Sequence, residues 1–250
     1  MKTSHYIILS VAILGGLALH GLFVGRSLER FRQQDRSVSV KGFSEREVKA
    51  NFAVWTIKTR ITTNDVTAGS RETEVSREKI VTFLMQKGIK REEIIQQDLG
   101  VNDKLARDWG QQDAGGFRYI IENTLQVRSE NVDAVQQVSR MTDELLKAGV
   151  VISNGQDYRP SVQYLFTKLN DIKPDMLSEA TRNARKAAEE FAKESDVKLG
   201  GLRRASQGLF TIIDRDEFNT GGGEGGYYGG GARDVFKKVR VVVNVEYALR

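Results

Sequence analysis

The side chains that could do chemistry in this sequence are mainly carboxylates, because the usual nucleophiles and metal ligands are scarce. The chain contains no cysteine, and its two histidines are His5 and His20. Both histidines lie in or before a long apolar stretch near the amino terminus, so the body of the chain has none. Ser–His–Asp and Cys–His nucleophilic sites and HExxH zinc sites are therefore excluded from that body.

Two adjacent acidic pairs, Glu92-Glu93 and Glu189-Glu190, are the candidates for hydrolysis by paired carboxyl groups. The first pair lies where a predicted helix turns toward a strand, and the second lies on the charged face of another predicted helix. Acidic pairs in such positions are more often solvated surface than catalytic groups. We therefore predict that the protein is not an enzyme. No residue is predicted to be catalytic, cofactor-binding or metal-binding, and no cofactor is expected.

The stretch Tyr6–Gly25 has twenty residues without a charged side chain, close to the roughly 20 that a helix needs to cross a bilayer. Its apolar core is longer than the roughly 7–15 residues of a cleavable signal, and it ends without a clear small-x-small site. We predict an uncleaved transmembrane helix, with a cleaved signal as the alternative. The GxxxG spacing of Gly21 and Gly25 permits close helix contacts, although glycine is also simply common in membrane helices.

The charges that flank this stretch leave its orientation open. Arg26, Arg30, Arg32 and Arg36 follow it, whereas only Lys2 precedes it. The positive-inside rule alone would keep the body in the cytoplasm, but long domains are translocated largely regardless of flanking charge.

The net charge of +5 is modest, and lysine and arginine are interspersed with aspartate and glutamate along the chain. A nucleic-acid-binding protein concentrates its basic residues on one face or stripe. We therefore predict no nucleic-acid partner.

Periodicity predicts the secondary structure of the body. Strands are expected near residues 37–43, 48–62, 94–104, 117–127, 161–167, 202–213 and 235–248. Helices are expected from Thr63 or Asn64 to about Lys87, from Asn131 to Gly149, and from Asn170 or Asp171 onward. The first strand is expected to end in a turn or bulge at Gly42, and Trp55 is expected in the core. The pattern predicts an α+β fold: a mainly antiparallel sheet with three packed helices, preceded by one N-terminal transmembrane helix.

Each predicted helix has an apolar side. In the first it is Val66, Val75, Ile80, Val81 and Leu84, and in the second it is Val135, Val138, Met141, Leu145 and Ala148. The stripe on the third is rich in alanine, which permits close approach to a sheet; it comprises Leu177, Ala180, Ala184, Ala187, Ala188, Phe191 and Ala192.

A glycine-rich segment, Asn219–Gly231, satisfies the GxGxxG spacing of phosphate-binding loops. Such a loop needs a strand before it and the first turn of a helix after it. Here a strand follows, so we reject a phosphate site and predict a flexible hairpin loop.

Four segments together carry a resemblance to a known family. They are VSVKGFSEREVKA (38–50), KGIKREEI (87–94), FRYIIENTLQV (117–127) and the long stretch 164–210, with its alanine-rich helix followed by Lys198-Leu199-Gly200 and Ser206-Gln207-Gly208. In order and spacing they resemble the SIMPL-domain family of bacterial envelope proteins. The resemblance covers nearly all of residues 37–248.

The resemblance implies an exported protein that forms homo-oligomers, has a loose association with stress tolerance and has no established catalytic residues. The chain departs from the commoner family pattern at its start, where an uncleaved anchor is expected. The predicted organisation is a membrane anchor (1–25), a juxtamembrane linker (26–36) and a SIMPL-like α+β domain (37–250). The family resemblance favours a single-pass protein of the inner membrane, with its soluble domain in the periplasm.

Two functional hypotheses therefore remain as alternatives to an enzymatic role. The first is a non-enzymatic, membrane-anchored envelope protein that self-associates and has a scaffolding or stress-protective role. The second is a small-molecule or lipid-binding envelope module, with a pocket between the alanine-rich helix and the sheet. The ligand of such a module is unknown from the sequence.

Overall fold

The computed structural model describes residues 15–17, 20–21, 23–24, 36–106, 116–153, 162–216 and 232–250. Most of the predicted membrane helix (Tyr6–Gly25), nearly all of the linker (26–36) and the glycine-rich segment (Asn219–Gly231) lie outside these residues. Within the part of the chain that the structure describes, no helix is long and apolar enough to cross a bilayer.

The fold is α+β, as predicted. The strands are β1 (Ser37–Lys49), β2 (Phe52–Thr63), β3 (Ile94–Asp103), β4 (Tyr119–Ser129), β5 (Val162–Leu165), β6 (Leu199–Gln207), β7 (Thr211–Asp214) and β8 (Phe236–Leu249). The α-helices of the described residues are α1 (Val66–Gln86), α2 (Val132–Ser139), α3 (Thr142–Lys147) and α4 (Leu169–Glu194). Short 3-10 helices lie at Arg91–Glu93 and Lys104–Ala106.

The strands form two four-stranded sheets rather than one. The first has the order β1–β8–β6, with β7 also paired to β8, and the second has the order β3–β4–β2–β5. The pairs β2–β4, β2–β5, β3–β4 and β6–β8 are antiparallel. The predicted strand near 202–213 is two strands, because pairing to β8 stops at Gln207 and the chain resumes as β7 at Thr211.

The described residues also divide into two compact units. The first unit contains residues within Met1–Glu45, Lys173–Phe210 and Arg240–Arg250, and the second contains residues within Arg46–Ile172 and Thr211–Val239.

In the first unit, α4 packs on β1 through its alanine stripe. The buried positions recur every four residues and are Met176, Ala180, Ala184, Ala188 and Ala192. Phe191 lies one position off this stripe and is 61% exposed, so its prediction as a buried residue was wrong. The small side chains bring the helix backbone close to the strand, as the alanine-rich pattern predicted.

Gly42 lies inside β1, which continues to Lys49, so the predicted end of the strand in a turn at Gly42 was wrong. The reason is the helix packed above it. A Cβ atom at residue 42 would collide with the carbonyl oxygen of Ala180 and would lie 2.5 Å from the amide nitrogen of Ala184. Glycine is required here for close approach of two backbones, not for an unusual backbone angle.

In the second unit, α1 packs on β2 and β4. The Asp65 carboxylate caps this helix by accepting hydrogen bonds from the amides of Thr67 and Ala68, at 2.8 and 3.2 Å. The predicted cap at Thr63 or Asn64 was therefore one or two residues early. The helix ends as predicted at Gly88, whose φ of +92° lies in the region that favours glycine. Val66 and Val75, predicted on its apolar side, are exposed.

The predicted second helix is interrupted, so the body has four helices in the described residues where three were predicted. At the break, the amides of Arg140 and Met141 donate to carbonyls three residues back, and α3 starts afresh at Thr142. Val135, Val138 and Leu145 are buried as predicted, but Met141 and Ala148 are exposed. The side chain of Asn131 caps α2, as predicted.

The core of the second unit lies between its sheet and its three helices. Trp55 is buried there, as predicted. Other members include Ile57, Ile80, Phe83, Leu84, Leu125, Val127, Val135 and Leu145.

Candidate interaction surface

The most exposed long strand of the second unit is β3, which lies at one edge of its sheet. Within the described residues it pairs with β4 alone. Its first residue, Ile94, is buried, and nearly all the residues after it are exposed. An edge strand with free backbone amides and carbonyls is a ready template for pairing with another chain.

A β-bulge sets which side chains this edge presents. Between Gln96 and Leu99 the strand carries one more residue than β4 does opposite. The extra residue moves Leu99 and Val101 onto the face that carries α1, because their partners Asn123 and Ile121 point there. Leu99 and Val101 are nevertheless 54% and 53% exposed, because α1 covers β2 and β4 and not this edge.

Other apolar side chains extend the exposed strip along the same edge. Ile95 is exposed on the opposite face of the strand, and Leu105 is exposed in the following 3-10 turn. A polar contact crosses from α1 to the strand: Arg77 Nη1 donates to Gln96 Oε1 at 3.1 Å. We define Ile95, Leu99, Val101 and Leu105 as the β3 edge strip.

The end of β3 is fixed to β4 by an ion pair. Arg118 donates to both carboxylate oxygens of Asp103, from Nη2 at 2.8 Å and from Nε at 3.1 Å. The amide of Lys104 also donates to the carbonyl of Arg118 at 3.0 Å. The hydrogen bond from the Arg118 side chain holds the pKa of Asp103 below its usual value of 3.8.

We expect the pairing at this end of β3 to weaken in acid. The pKa of Asp103 is lowered in the folded protein, so the ion pair contributes stability above pH 3.8 that is lost as the pH falls through the lowered value. A carboxyl-carbon NMR titration should place the Asp103 midpoint below 3.8. In Arg118→Gln the midpoint should rise, because the hydrogen bond and the charge of Arg118 that lower the pKa are removed. A wild-type midpoint at or above 3.8 would contradict the assignment.

The two acidic pairs singled out in the sequence belong to different units. Glu93 is held in the turn before β3: its Oε2 accepts the amide of Lys90 at 2.8 Å and its Oε1 accepts the Ser129 hydroxyl at 2.6 Å. Glu189 and Glu190 are exposed on α4, where Glu189 accepts from Arg185 Nε at 2.9 Å. Among the described residues, no group of three or more potential ligands could hold a metal ion.

The pocket expected between the alanine-rich helix and the sheet is closed at Gly42. The backbone of α4 lies directly on β1 there, with no room for a Cβ atom. A cavity of about 200 Å³ lies instead in the second unit, with Thr59, Glu72, Ser76 and Gly149 in its wall.

Sequence reasoning predicted β3 as a strand but did not recognise it as an interaction surface. Alternation alone cannot tell an edge strand from a central one, since that depends on which strands pair. The available signals were the cluster of glycine and charged residues around Leu99 and the break in alternation between Gln96 and Leu99, which marks the bulge.

Comparison with known proteins gives a single finding about relationship. A search of curated proteins returned no significant match. The family model described as SIMPL, a protein family of unknown function also called DUF541, matches residues 38–247. Because that match covers most of the chain and nearly the whole folded body, the chain belongs to the SIMPL family.

Proposed function

We propose that this protein is a membrane-anchored, non-enzymatic envelope protein whose SIMPL domain self-associates in the periplasm and has a scaffolding or stress-protective role. The observation that carries self-association is the edge strand β3, which pairs within the described residues with β4 alone and exposes Leu99 and Val101 of the β3 edge strip. Anchoring and location rest on the apolar stretch Tyr6–Gly25 and on the family.

The residue order of β3 suits pairing with a second copy of itself. In an antiparallel arrangement with the twofold axis at Gly100, Leu99 of each chain lies opposite Val101 of the other. Asp98 then lies opposite Asn102, and Asp103 lies opposite Gln97. Apolar residues meet across the axis and no two carboxylates face each other directly, as stable cross-strand pairing requires. A Cβ at residue 100 would meet no atom within 4 Å, so the face of the strand is uncovered at the axis.

We expect Val101→Lys to weaken self-association by at least about tenfold, because a lysine at the centre of a paired edge would be buried without a partner. Sedimentation velocity of the full-length protein in detergent measures this. The melting temperature should change little, because Val101 is half exposed and outside the core.

Two lysine variants serve as matched controls. Leu146→Lys, at an exposed position on α3, should leave the association unchanged. Leu202→Lys probes β6, an edge strand of the other sheet that also carries an exposed leucine. If Leu202→Lys dissociates the protein and Val101→Lys does not, the β3 interface is wrong. A wild-type protein that stays monomeric at high micromolar concentration contradicts self-association itself.

Membrane topology is tested separately, with carboxy-terminal alkaline-phosphatase and green-fluorescent fusions in living cells. The proposal requires an active phosphatase fusion and a dark fluorescent fusion. A bright fluorescent fusion without phosphatase activity would place the body in the cytoplasm, as the four arginines after Tyr6–Gly25 would favour. The envelope role would then have to be abandoned.

A further inference from the structure

The cavity in the second unit has a wall rich in oxygen acceptors. Its volume is about 200 Å³, and it lies between β2, α1 and the chain that follows α3. The wall includes Thr59 from β2, Glu72 and Ser76 from α1, and Gly149 after α3. Residues 72 and 76 are four apart in a helix, so they are neighbours on the face of α1 that borders the cavity.

The elements that form this wall are fixed to β2. Near the start of α1, a Cβ atom at Gly69 would lie 2.6 Å from Thr63 Cγ2, so the helix touches the end of the strand. After α3, the returning chain forms a β-bridge between Ile152 and Thr59. The polar groups of the wall are therefore held in place by the fold before any ligand arrives.

Thr59 is the buried member of the wall. The residue is only 4% exposed, and its hydroxyl donates to the main-chain carbonyl of Asn123 at 3.5 Å. That distance is longer than the roughly 2.5–3.0 Å of an ordinary hydrogen bond from a hydroxyl group, and the lone pairs of the oxygen are left to accept a donor. Ser76 is half-buried and Glu72 is exposed, which places Thr59 at the base of the cavity and Glu72 at its mouth.

Glu72 gives the cavity a negative charge, and two nearby cations are engaged elsewhere. Arg60 donates through Nε to Glu122 Oε1 at 2.7 Å, on the face of the sheet opposite Thr59. Lys79 on α1 donates to the carbonyl of Ala148 at 2.9 Å. Within the part of the chain that the structure describes, Glu72 forms no ion pair. Its carboxylate is therefore left for a cation from outside the chain.

We propose that this cavity binds a small primary amine in its protonated form. An ammonium group has one positive charge and three N–H donors, which match one charged and two neutral acceptors. The Glu72 carboxylate accepts one hydrogen bond and supplies the opposite charge, and the hydroxyls of Ser76 and Thr59 accept the other two. Val150 and Val151, also in the wall, contact a short alkyl group, and the volume limits the ligand to a few heavy atoms.

The test is an NMR titration of the uniformly 15N-labelled, full-length protein in detergent, with ethylammonium chloride as the probe at constant ionic strength. The backbone amides of Ser76 and Gly149 should shift and saturate together. The amide of Gly201, on β6 of the first unit, is the internal control and should not respond. Tetramethylammonium carries the same charge but has no N–H donor, so it should bind at least about tenfold more weakly.

Two glutamine variants test the charged contact. Glu72→Gln keeps the shape of the side chain but removes its charge, so ethylammonium binding should weaken by at least about tenfold. Glu74→Gln is the matched control on the same helix: its carboxylate is paired with Arg77 Nη2 at 3.1 Å, and its loss should leave binding unchanged. Both glutamates are exposed, so both variants should fold.

Thr59→Val tests the buried contact, because it removes the hydroxyl with little change in volume. Binding should weaken by about fivefold or more. If Thr59→Val does not fold, the comparison of Glu72→Gln with Glu74→Gln decides. The proposal would be overturned by the absence of a saturable shift at Ser76 and Gly149, by equal affinity for tetramethylammonium, or by unchanged binding in Glu72→Gln or in folded Thr59→Val.

Discussion

Asp214→Ala is expected to lower the free energy of unfolding by about 3–5 kcal/mol, because it removes the carboxylate from a buried ion pair. The Nζ of Lys237 donates to Asp214 Oδ1, and Lys237 is almost fully buried. The other oxygen of Asp214 accepts the amide of Arg233 at 2.9 Å. Removing the carboxylate therefore takes an acceptor away from a buried ammonium group and from the main-chain amide of Arg233. Urea unfolding, monitored by tryptophan fluorescence, measures the loss.

Two comparisons separate this effect from ordinary truncation. Replacing both partners, as in Asp214→Leu with Lys237→Met, should recover most of the loss, since a buried pair and an apolar pair of similar volume are often close in stability. Glu189→Ala removes one member of the exposed Arg185–Glu189 pair on α4 and should cost at most about 0.5 kcal/mol. An Asp214→Ala loss no larger than that of Glu189→Ala would show that the buried pair does not stabilise the protein.

Gly42→Ala is expected to destabilise the first unit by about 3 kcal/mol, because the added methyl group has no space. Its nearest neighbours are the carbonyl oxygen of Ala180, the amide nitrogen of Ala184 and the Cβ of Ala184, the last at 2.7 Å. Two of these are backbone atoms, so α4 must move as a whole to relieve the clash. The shift in the urea midpoint at constant slope measures the change.

Gly201→Ala is the matched control for this substitution. Gly201 also lies in a strand of the first sheet, β6, but a Cβ there would meet no atom within 4 Å. Its replacement should change stability by no more than about 0.5 kcal/mol. If Gly42→Ala were as mild as Gly201→Ala, the close approach of α4 to β1 would be wrong.

The sequence was most informative where one local rule decides the outcome. The strands β2, β3, β4 and β8 lie close to their predicted positions, because alternation along a half-buried strand follows from the geometry of the strand itself. The same holds for the helix end at Gly88, where the positive φ favours glycine, and for the cap at Asn131, whose side chain accepts a hydrogen bond from the first turn of the helix. These features needed no knowledge of the rest of the chain.

Prediction failed where the reason for a residue lies elsewhere in the chain. Gly42 looks like a turn residue, but glycine is needed at this position because a helix more than 130 residues later packs against it. The candidate surface was missed for the same kind of reason. Whether β3 is an edge strand depends on which other strands pair with it, and within the described residues it pairs with β4 alone. Asn123 looks unremarkable in FRYIIENTLQV, and only the tertiary structure shows that it is buried opposite Thr59.

The sequence by itself determined that the body lacks cysteine and histidine, that it is α+β, and that it belongs with the SIMPL family. The first two follow from composition and from local periodicity, and the third follows from the order and spacing of four segments that resemble the family. Tertiary structure alone decided that the strands form two sheets, that β3 pairs within the described residues with β4 alone, that α4 lies on Gly42 and that Lys237 is buried against Asp214. Each of these depends on contacts between residues far apart in the chain, which local pattern does not encode.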